Sequence, residues 1–466
     1  MKNHGRLYKG KEVVKVDKVF YRKLTTLIFP IAFQNFMMAA VSASDALMLG
    51  VLNQDSLSAV SLAGQVQFVL NLFLAALTIG TTVLVAQYWG KKDKVAVEKV
   101  FAIVMKISII ISVIFFIVTT FATKYVMRIF TADSILIENG IKYLRIVGIS
   151  YFLTGISQIY LCIMKNTGYA LKSTVISSFS MILNIILNII FIFGVGNIPV
   201  MGISGAAIAT VVSRVIELVW VVIESFKQDR IRIRKSYIIN VDKILKTDFW
   251  TYTMPILGNE LVWGVGFTMY SVIMGHLGSD AVAANSIANI MKNLIACVCI
   301  GIGGVSGIIV GNELGKGELE KAKYYGDSLC KLSVVGGIIS GLILLIISPI
   351  ILAYSNLNIE AHEYLKGMLI MCSYYLIGKS INSTVIAGVF CAGGDSKFGL
   401  KCDTVTMWAI TVPLGIIAAL YLKLPVLVVY FIINLDEIIK LPAVYYNYKK
   451  YNWVKDLTRT TITKCT

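Results

Sequence analysis

Twelve stretches of more than twenty mostly apolar residues punctuate this chain, from 24–51 through to 425–446, and nothing else about it limits the fold so strongly. A hydrocarbon layer about 30 Å thick is crossed by about 20 helical residues rising 1.5 Å each. Inside that layer no water satisfies the backbone, so each crossing segment must close its own hydrogen bonds as a helix. The composition agrees, with 57% hydrophobic and 15% charged residues in 466. The predicted fold is all-α and polytopic, with twelve transmembrane helices.

Charge placement gives the expected topology. The net charge of +17 collects in alternate connections. Eight Lys or Arg lie in residues 1–23 and seven in the 227–247 linker, with more in 90–99, in 315–323 and after Tyr446. The intervening loops, such as NQDS (53–56) and GHLGSD (275–280), carry almost none. Positive charge accumulates on the cytoplasmic side of membrane proteins. Both termini are therefore expected in the cytoplasm and the chain in the cell membrane, with no cleavable leader, because the basic N-terminus runs straight into a full-length span. The basic balance reports topology and anionic lipid, and nucleic acid is not an expected partner. The eight cysteines form no CxxC pair, and the three histidines supply no metal-type partners.

A shift of 225 residues brings the two halves into register without gaps. Pro30 falls on Pro255, Gln34 on Asn259, Gly50 on Gly275, Gln87 on Asn312, Gly90 on Gly315 and Gly168 on Gly393. The predicted units are a cytoplasmic N-terminal segment (1–23), an N-lobe (24–226), the basic cytoplasmic linker (227–247), a C-lobe (248–446) and a cytoplasmic tail (447–466). Six crossings per half give both halves the same orientation, so the repeats are parallel and face each other across a cleft. Rocking such halves exposes the cleft to alternate sides, which is an architecture of transporters.

Three elements carry a resemblance. Each half opens with a proline followed four or five residues later by an amide or acid. Gly80 to Asp93, containing LVAQYWGKKD, is echoed by VGNELGKGELEKA (310–322), and GISGAAIAT (202–210) follows a span containing N-x3-N. Together these resemble the multidrug and toxic compound extrusion (MATE) family of cation-coupled exporters, over roughly residues 24 to 446, with the DinF-like branch the most similar.

Asp45 lies inside the first apolar block. Gln34, Ser42 and Asp45 share one helix face, opposite Leu, Ile, Phe and Val. An ionised carboxylate in hydrocarbon costs about 2.5–3.5 kcal/mol even on the lenient insertion scale. Asp45 is therefore expected either in a wet cavity, where it takes up a proton or cation, or at the interface. Ser177, Asn184 and Asn188 make one stripe on the fifth span, where asparagines commonly bond to other helices. The resemblance implies that Asn184 and Asn188 sit beside Asp45 as the cation-coupling group, and that Gln34, Gln158 and Thr210 line the cavity. DinF-like members have an aspartate at the position of Asn188. That departure leaves the coupling ion, H+ or Na+, open, with Asp45 the place for a Na+; no other metal and no cofactor is implied.

The C-terminal half differs chemically. Glu260 follows Pro255 by five residues beside Asn259, and Tyr270 is the repeat equivalent of Asp45. Relatives carry an aspartate in the tenth helix, where this chain reads LIGKSINST with Lys379; Lys292 is a second buried cation. Two readings stand: Glu260 pairs with Lys292 or Lys379, or these lysines admit anionic or zwitterionic cargo. Arg214 and Glu217, three residues apart in the sixth span, are expected to neutralise each other. Asp403, Asp436, Glu437 and Lys440 receive no role. Pro30 and Pro255 each remove a backbone bond and are hinge candidates.

The expected function is a monomeric secondary antiporter that exports small amphipathic or cationic organic compounds. The alternative is a lipid-linked saccharide flippase of the same superfamily. No P-loop spacing, paired carboxylates, Ser/His arrangement or DDxxD-like run marks an enzyme. The loop VAQYWGKKDK also lacks the pattern of the major facilitator group.

Overall fold

The protein, seen here as a computed structural model, is described for residues 11–459 apart from 197 and 356. Residues 1–10 of the expected N-terminal segment and 460–466 of the tail lie outside that range. The N-lobe holds α1 (Lys11–Leu52), α2 (Gln54–Gly90), α3 (Lys94–Phe121), α4 (Ser134–Asn166), α5 (Ala170–Phe193) and α6 (Gly202–Ser225). The C-lobe holds α7 (Lys243–Gly275), α8 (Ser279–Gly315), α9 (Leu319–Tyr354), α10 (Ile359–Asn382) and α11 (Ser396–Tyr421). It closes with α12 (Val426–Ile433), α13 (Asp436–Ile439) and α14 (Leu441–Lys449). No strand occurs among the described residues.

Helix starts follow capping chemistry. The side chains of Asn53, Asp93, Asp133, Asp242 and Asn358 accept hydrogen bonds from the first free N–H groups of α2, α3, α4, α7 and α10. Ten of the helices are long and apolar enough to cross a membrane by themselves. The two other predicted spans depart from regularity. The tenth passes from α10 into a widened π-type stretch, Ser383–Phe390, and the twelfth is split into α12, α13 and α14. Widened turns of this kind concentrate at functional places in helices. The first helix begins at Lys11, thirteen residues ahead of the predicted span, because the basic segment continues the same helix out of the apolar zone.

The lobes are related as the 225-residue register requires. Helix α1 packs on α8, its counterpart α7 packs on α2, and α2 crosses α8. The starts of α1 and α7 are exchanged between lobes. Phe20 and Leu24 enter the C-lobe core with Leu314, Tyr325 and Phe390, whereas Leu245 and Phe249 enter the N-lobe core with Val100, Phe101 and Ile163. These four residues are repeat mates, Phe20 with Leu245 and Leu24 with Phe249. Pro30 and Pro255 stand just beyond, where each helix leaves the opposite lobe for its own.

The lobes close on each other at the end that bears the basic loops. A Cβ on Gly90 would lie 2.1 Å from the Asn312 carbonyl oxygen, and one on Gly315 would lie 1.9 Å from that of Gln87. The crossing of α2 over α8 is backbone against backbone, and only glycine permits it. Beside it, fully buried Glu313 takes Lys23 of α1 at 2.9 Å together with Lys316 at 2.9 Å. The C-terminal strand of chain then straps the seam. Trp453 is buried in the C-lobe, the Gln87 amide donates to Ala392 and Lys455 carbonyls, and the Leu457 N–H donates to Gln87. Arg459 ends the strap on Asp248 of α7 with two bonds of 2.7 and 2.8 Å. At the opposite end a Cβ on Gly275 or Gly278 would meet nothing within 4 Å.

The linker is bound rather than loose. Arg234 pairs with Glu98 and Lys99 with Asp242, so the linker lies against α3. The Arg230 guanidinium sits 3.2 Å above the Tyr169 ring and pairs with Glu224.

Candidate functional site

In the N-lobe, α1 carries Asp45 to α5, where the Asn188 amide donates to its carboxylate at 2.6 Å. The same amide lies 3.4 Å from the Asn184 carbonyl oxygen, and the Asn184 amide lies 3.4 Å from the Thr210 hydroxyl of α6. Four helical turns thus hold a chain from carboxylate to amide to amide to hydroxyl. Asp45 is half-buried, Asn184 and Asn188 are buried, and the Asn188 carbonyl oxygen has no partner. A buried acceptor without a donor is costly, so this oxygen is a point where a proton or cation would be held. Arg214 of α6 acts on Asp45 through space. Its direct partner is Glu217 at 2.9 Å, whose other oxygen accepts from Ser157 of α4 at 2.6 Å.

The remaining N-lobe candidates are placed differently. Gln34 is buried with its carbonyl oxygen unpartnered, a turn beyond Pro30, whose own carbonyl accepts from Thr174 of α5. Gln158 is half-buried and makes no contact with the Asp45 chain; its neighbour Ser157 reaches the group through Glu217.

In the C-lobe, neither Lys292 nor Lys379 forms an ion pair with half-buried Glu260. Lys379 pairs instead with Glu437 at 3.3 Å. Glu437 also meets Lys440 at 3.1 Å and Asn382 at 2.7 Å, and Lys440 meets Asp403 at 2.8 Å. Asp436 lies in the same place with one oxygen unpartnered. The four residues without an expected role therefore form a buried ionic network. It joins the break between α12 and α13 to the widened turn that begins after Asp403 in α11. The signal in the sequence is the clustering of Asp436, Glu437 and Lys440 inside an apolar block.

Aromatic faces are taken by the protein's own cations. Trp263 and Phe267 stack at 5.7 Å, Lys379 lies over Trp263 at 4.9 Å, and Lys292 lies over Tyr375 at 4.5 Å and Phe267 at 6.0 Å. Tyr270 meets Thr411 at 2.6 Å, and the Asn259 carbonyl oxygen is buried without a partner. No group of three or more His, Cys, Asp or Glu with metal-holding geometry occurs among the described residues.

This architecture matches known proteins along its length. The MatE family model matches twice, over residues 30–190 and 255–417, and the two matches begin 225 residues apart. The chain belongs to the MatE family. Family membership makes it a multi-pass membrane transporter rather than an enzyme, one that handles small molecules within a lipid bilayer. It is similar to "Uncharacterized transporter YisQ" of Bacillus subtilis, at 22% identity over 94% of this chain and 96% of the relative. It is also similar to "Probable multidrug resistance protein NorM" of Oceanobacillus iheyensis, at 24% identity over 85% and 89%. A MOP superfamily transporter from Pyrococcus furiosus shares the fold with a TM-score of 0.84, at 19% identity, covering 92% of this chain and 95% of that one. A structure described as the outward-facing conformation of a multidrug resistance MATE family transporter has a TM-score of 0.83, at 19% identity over 92% and 95%.

Proposed function

We propose that this MatE protein is a gradient-driven antiporter in which Asp45 exchanges a proton as the lobes rock about Pro30 and Pro255. The carrying observation is the 2.6 Å bond from the Asn188 amide to Asp45 inside the N-lobe. As drawn, the amide donates to an ionised carboxylate. A protonated carboxyl needs an acceptor instead, and the unpartnered Asn188 oxygen supplies one after a half-turn of the amide. A single carboxylate takes up one proton without further ligands; the oxygens of Asn184, Asn188 and Thr210 beside it could also coordinate Na+, and the Na+-free arm of the efflux test separates the two.

The basic face is read as cytoplasmic by the positive-inside rule. The present closure then faces the cytoplasm, and the cleft opens outward. Proton uptake at Asp45 from outside removes the charge that Asn188 and Arg214 stabilise, favouring cargo release and return. Reorientation delivers the proton inside, and ionised Asp45 resets the outward transition with cargo. The cargo is a small organic compound of amphipathic character. The flippase reading stays in play through one observation, the cationic recess at Lys292 described below.

Efflux of norfloxacin, a fluorescent zwitterionic amphiphile, from cells expressing the chain tests the coupling. Efflux should stop when the proton gradient is collapsed, persist in Na+-free medium, and fall at least tenfold in Asp45→Asn at equal membrane abundance. Undiminished efflux by Asp45→Asn would sink Asp45 as the coupling group.

A further inference from the structure

Lys292 is 6% exposed, and among the described residues no carboxylate lies within ion-pair distance of it. Its only hydrogen bond among the described residues is a long one, 3.5 Å to the Asn434 side-chain oxygen, and the Tyr375 and Phe267 rings stand beside it. Asp436 and Glu437 act on it only through space. Every other lysine of this region is matched, Lys379 to Glu437 and Lys440 to Asp403 and Glu437. A buried ammonium without a partner is expensive to keep inside a membrane protein and marks a site for something else.

The surroundings form a small recess of about 10 Å3, room for a single water-sized group such as one anionic oxygen, lined by Phe267, Tyr270, Asn285, Asn289 and Asn434 around Lys292. Asn285, Asn289 and Lys292 are spaced by four and three residues on α8, so they stand on one face. Asn289 donates to the Asn285 oxygen at 3.1 Å, which leaves the Asn285 amide and the ammonium free to donate inward. Tyr270 is the repeat mate of Asp45. The recess is thus the C-lobe counterpart of the N-lobe carboxylate site, with the opposite charge and donors where the other has acceptors.

We propose that this recess binds the anionic group, a carboxylate or phosphate, of the transported molecule, so that the cargo is an anionic or zwitterionic amphiphile. The apolar part lies against Phe267, Met274 and Ile433, which also line the recess. The inference rests on the transport reading above, but binding at Lys292 needs neither a gradient nor Asp45.

The test is fluorescence titration of purified full-length protein in phosphatidylcholine nanodiscs with dansylglycine, its methyl ester serving as the uncharged control. Wild type should bind the acid saturably and at least tenfold more tightly than the ester. Lys292→Gln should lose that preference, Lys292→Arg should keep it, and Asn285→Ala should weaken acid binding several-fold. Competition by undecaprenyl phosphate added to the nanodiscs assigns the anion to a lipid head group; competition by soluble N-acyl amino acids alone assigns it to a free compound. Absence of saturable binding by wild type, or equal binding of acid and ester by wild type and Lys292→Gln, overturns the proposal. Asp45→Asn should keep the preference for the acid over the ester, whatever its overall affinity, while losing gradient-driven efflux, which separates failure of this site from failure of the coupling scheme.

Discussion

Replacing Gly90 and Gly315 with alanine should force the lobes apart at the basic end. A contact becomes ordinary at about 3.4 Å, yet the added Cβ atoms would begin at 2.1 and 1.9 Å from backbone oxygens. The helices must therefore part by roughly 1.3 to 1.5 Å, the difference between those values. Backbone cannot turn aside as a side chain would. Overpacking of this sort costs about 1–3 kcal/mol. Gln87 sits one turn before Gly90 and holds three hydrogen bonds across the seam. Stretching these forfeits about 1 kcal/mol each. A shift of about 3 kcal/mol moves the balance between closed and open basic ends by about a hundredfold.

Helix propensity, about 1 kcal/mol in favour of alanine inside a helix, acts equally on the closed and open forms and leaves this balance unchanged. Spin labels at Lys94→Cys and Glu320→Cys, both exposed on the basic face, report the separation of the lobes by pulsed electron resonance. The double alanine protein should show a longer, broader distance distribution. Gly64→Ala is the control, because nothing lies within 4 Å of its added Cβ. An unchanged distribution in the double variant would refute the closure argument, and so would equal lengthening by Gly64→Ala.

Two other outcomes follow from the contacts at the seam and in the C-lobe. Arg459→Ala leaves buried Asp248 without its two charged bonds and should cost about 1–3 kcal/mol; ending the chain at Tyr451 also removes buried Trp453 and the Gln87 bonds, and should lower the unfolding temperature further and lengthen the same spin-label distance. Lys440→Met leaves Asp403 and Glu437 without their shared cation and should destabilise the protein by about 3–5 kcal/mol, read as a fall in thermal unfolding temperature; Asp403→Asn in the same chain should recover part of the loss, and a fall no smaller in the double variant would count against the network.

The scaffold was legible because its constraints are local and were written twice. Proline ahead of the span and glycine at the crossing recur at one offset since each half solves the same packing problem with the same residues. The glycine match showed the repeat, but its reason, two backbones touching, needed the partner lobe. Likewise Phe20 and Leu245 read as ordinary apolar residues, and only their exchange between cores explains why Pro30 and Pro255 stand where they do. Asp45 and its asparagine neighbours were visible because a polar group in an apolar run is conspicuous wherever it lies.

The C-lobe network was not legible, because its parts come from α10, α11, α13 and the turn beside it. Sequence spacing relates residues only within one helix, and it left Glu260 as a partner for Lys292 or Lys379 beside the reading that these lysines admit anionic cargo. The structure gives Lys379 to Glu437 instead, which strips Lys292 of a partner. The consequence is functional rather than structural. Two equal bundles carry unequal charge, an acid in one and, beside the repeat mate of that acid, a base without a countercharge in the other. A molecule held between them is asked for both signs at once, so cargo charge pattern, more than cargo size, should decide what this transporter moves.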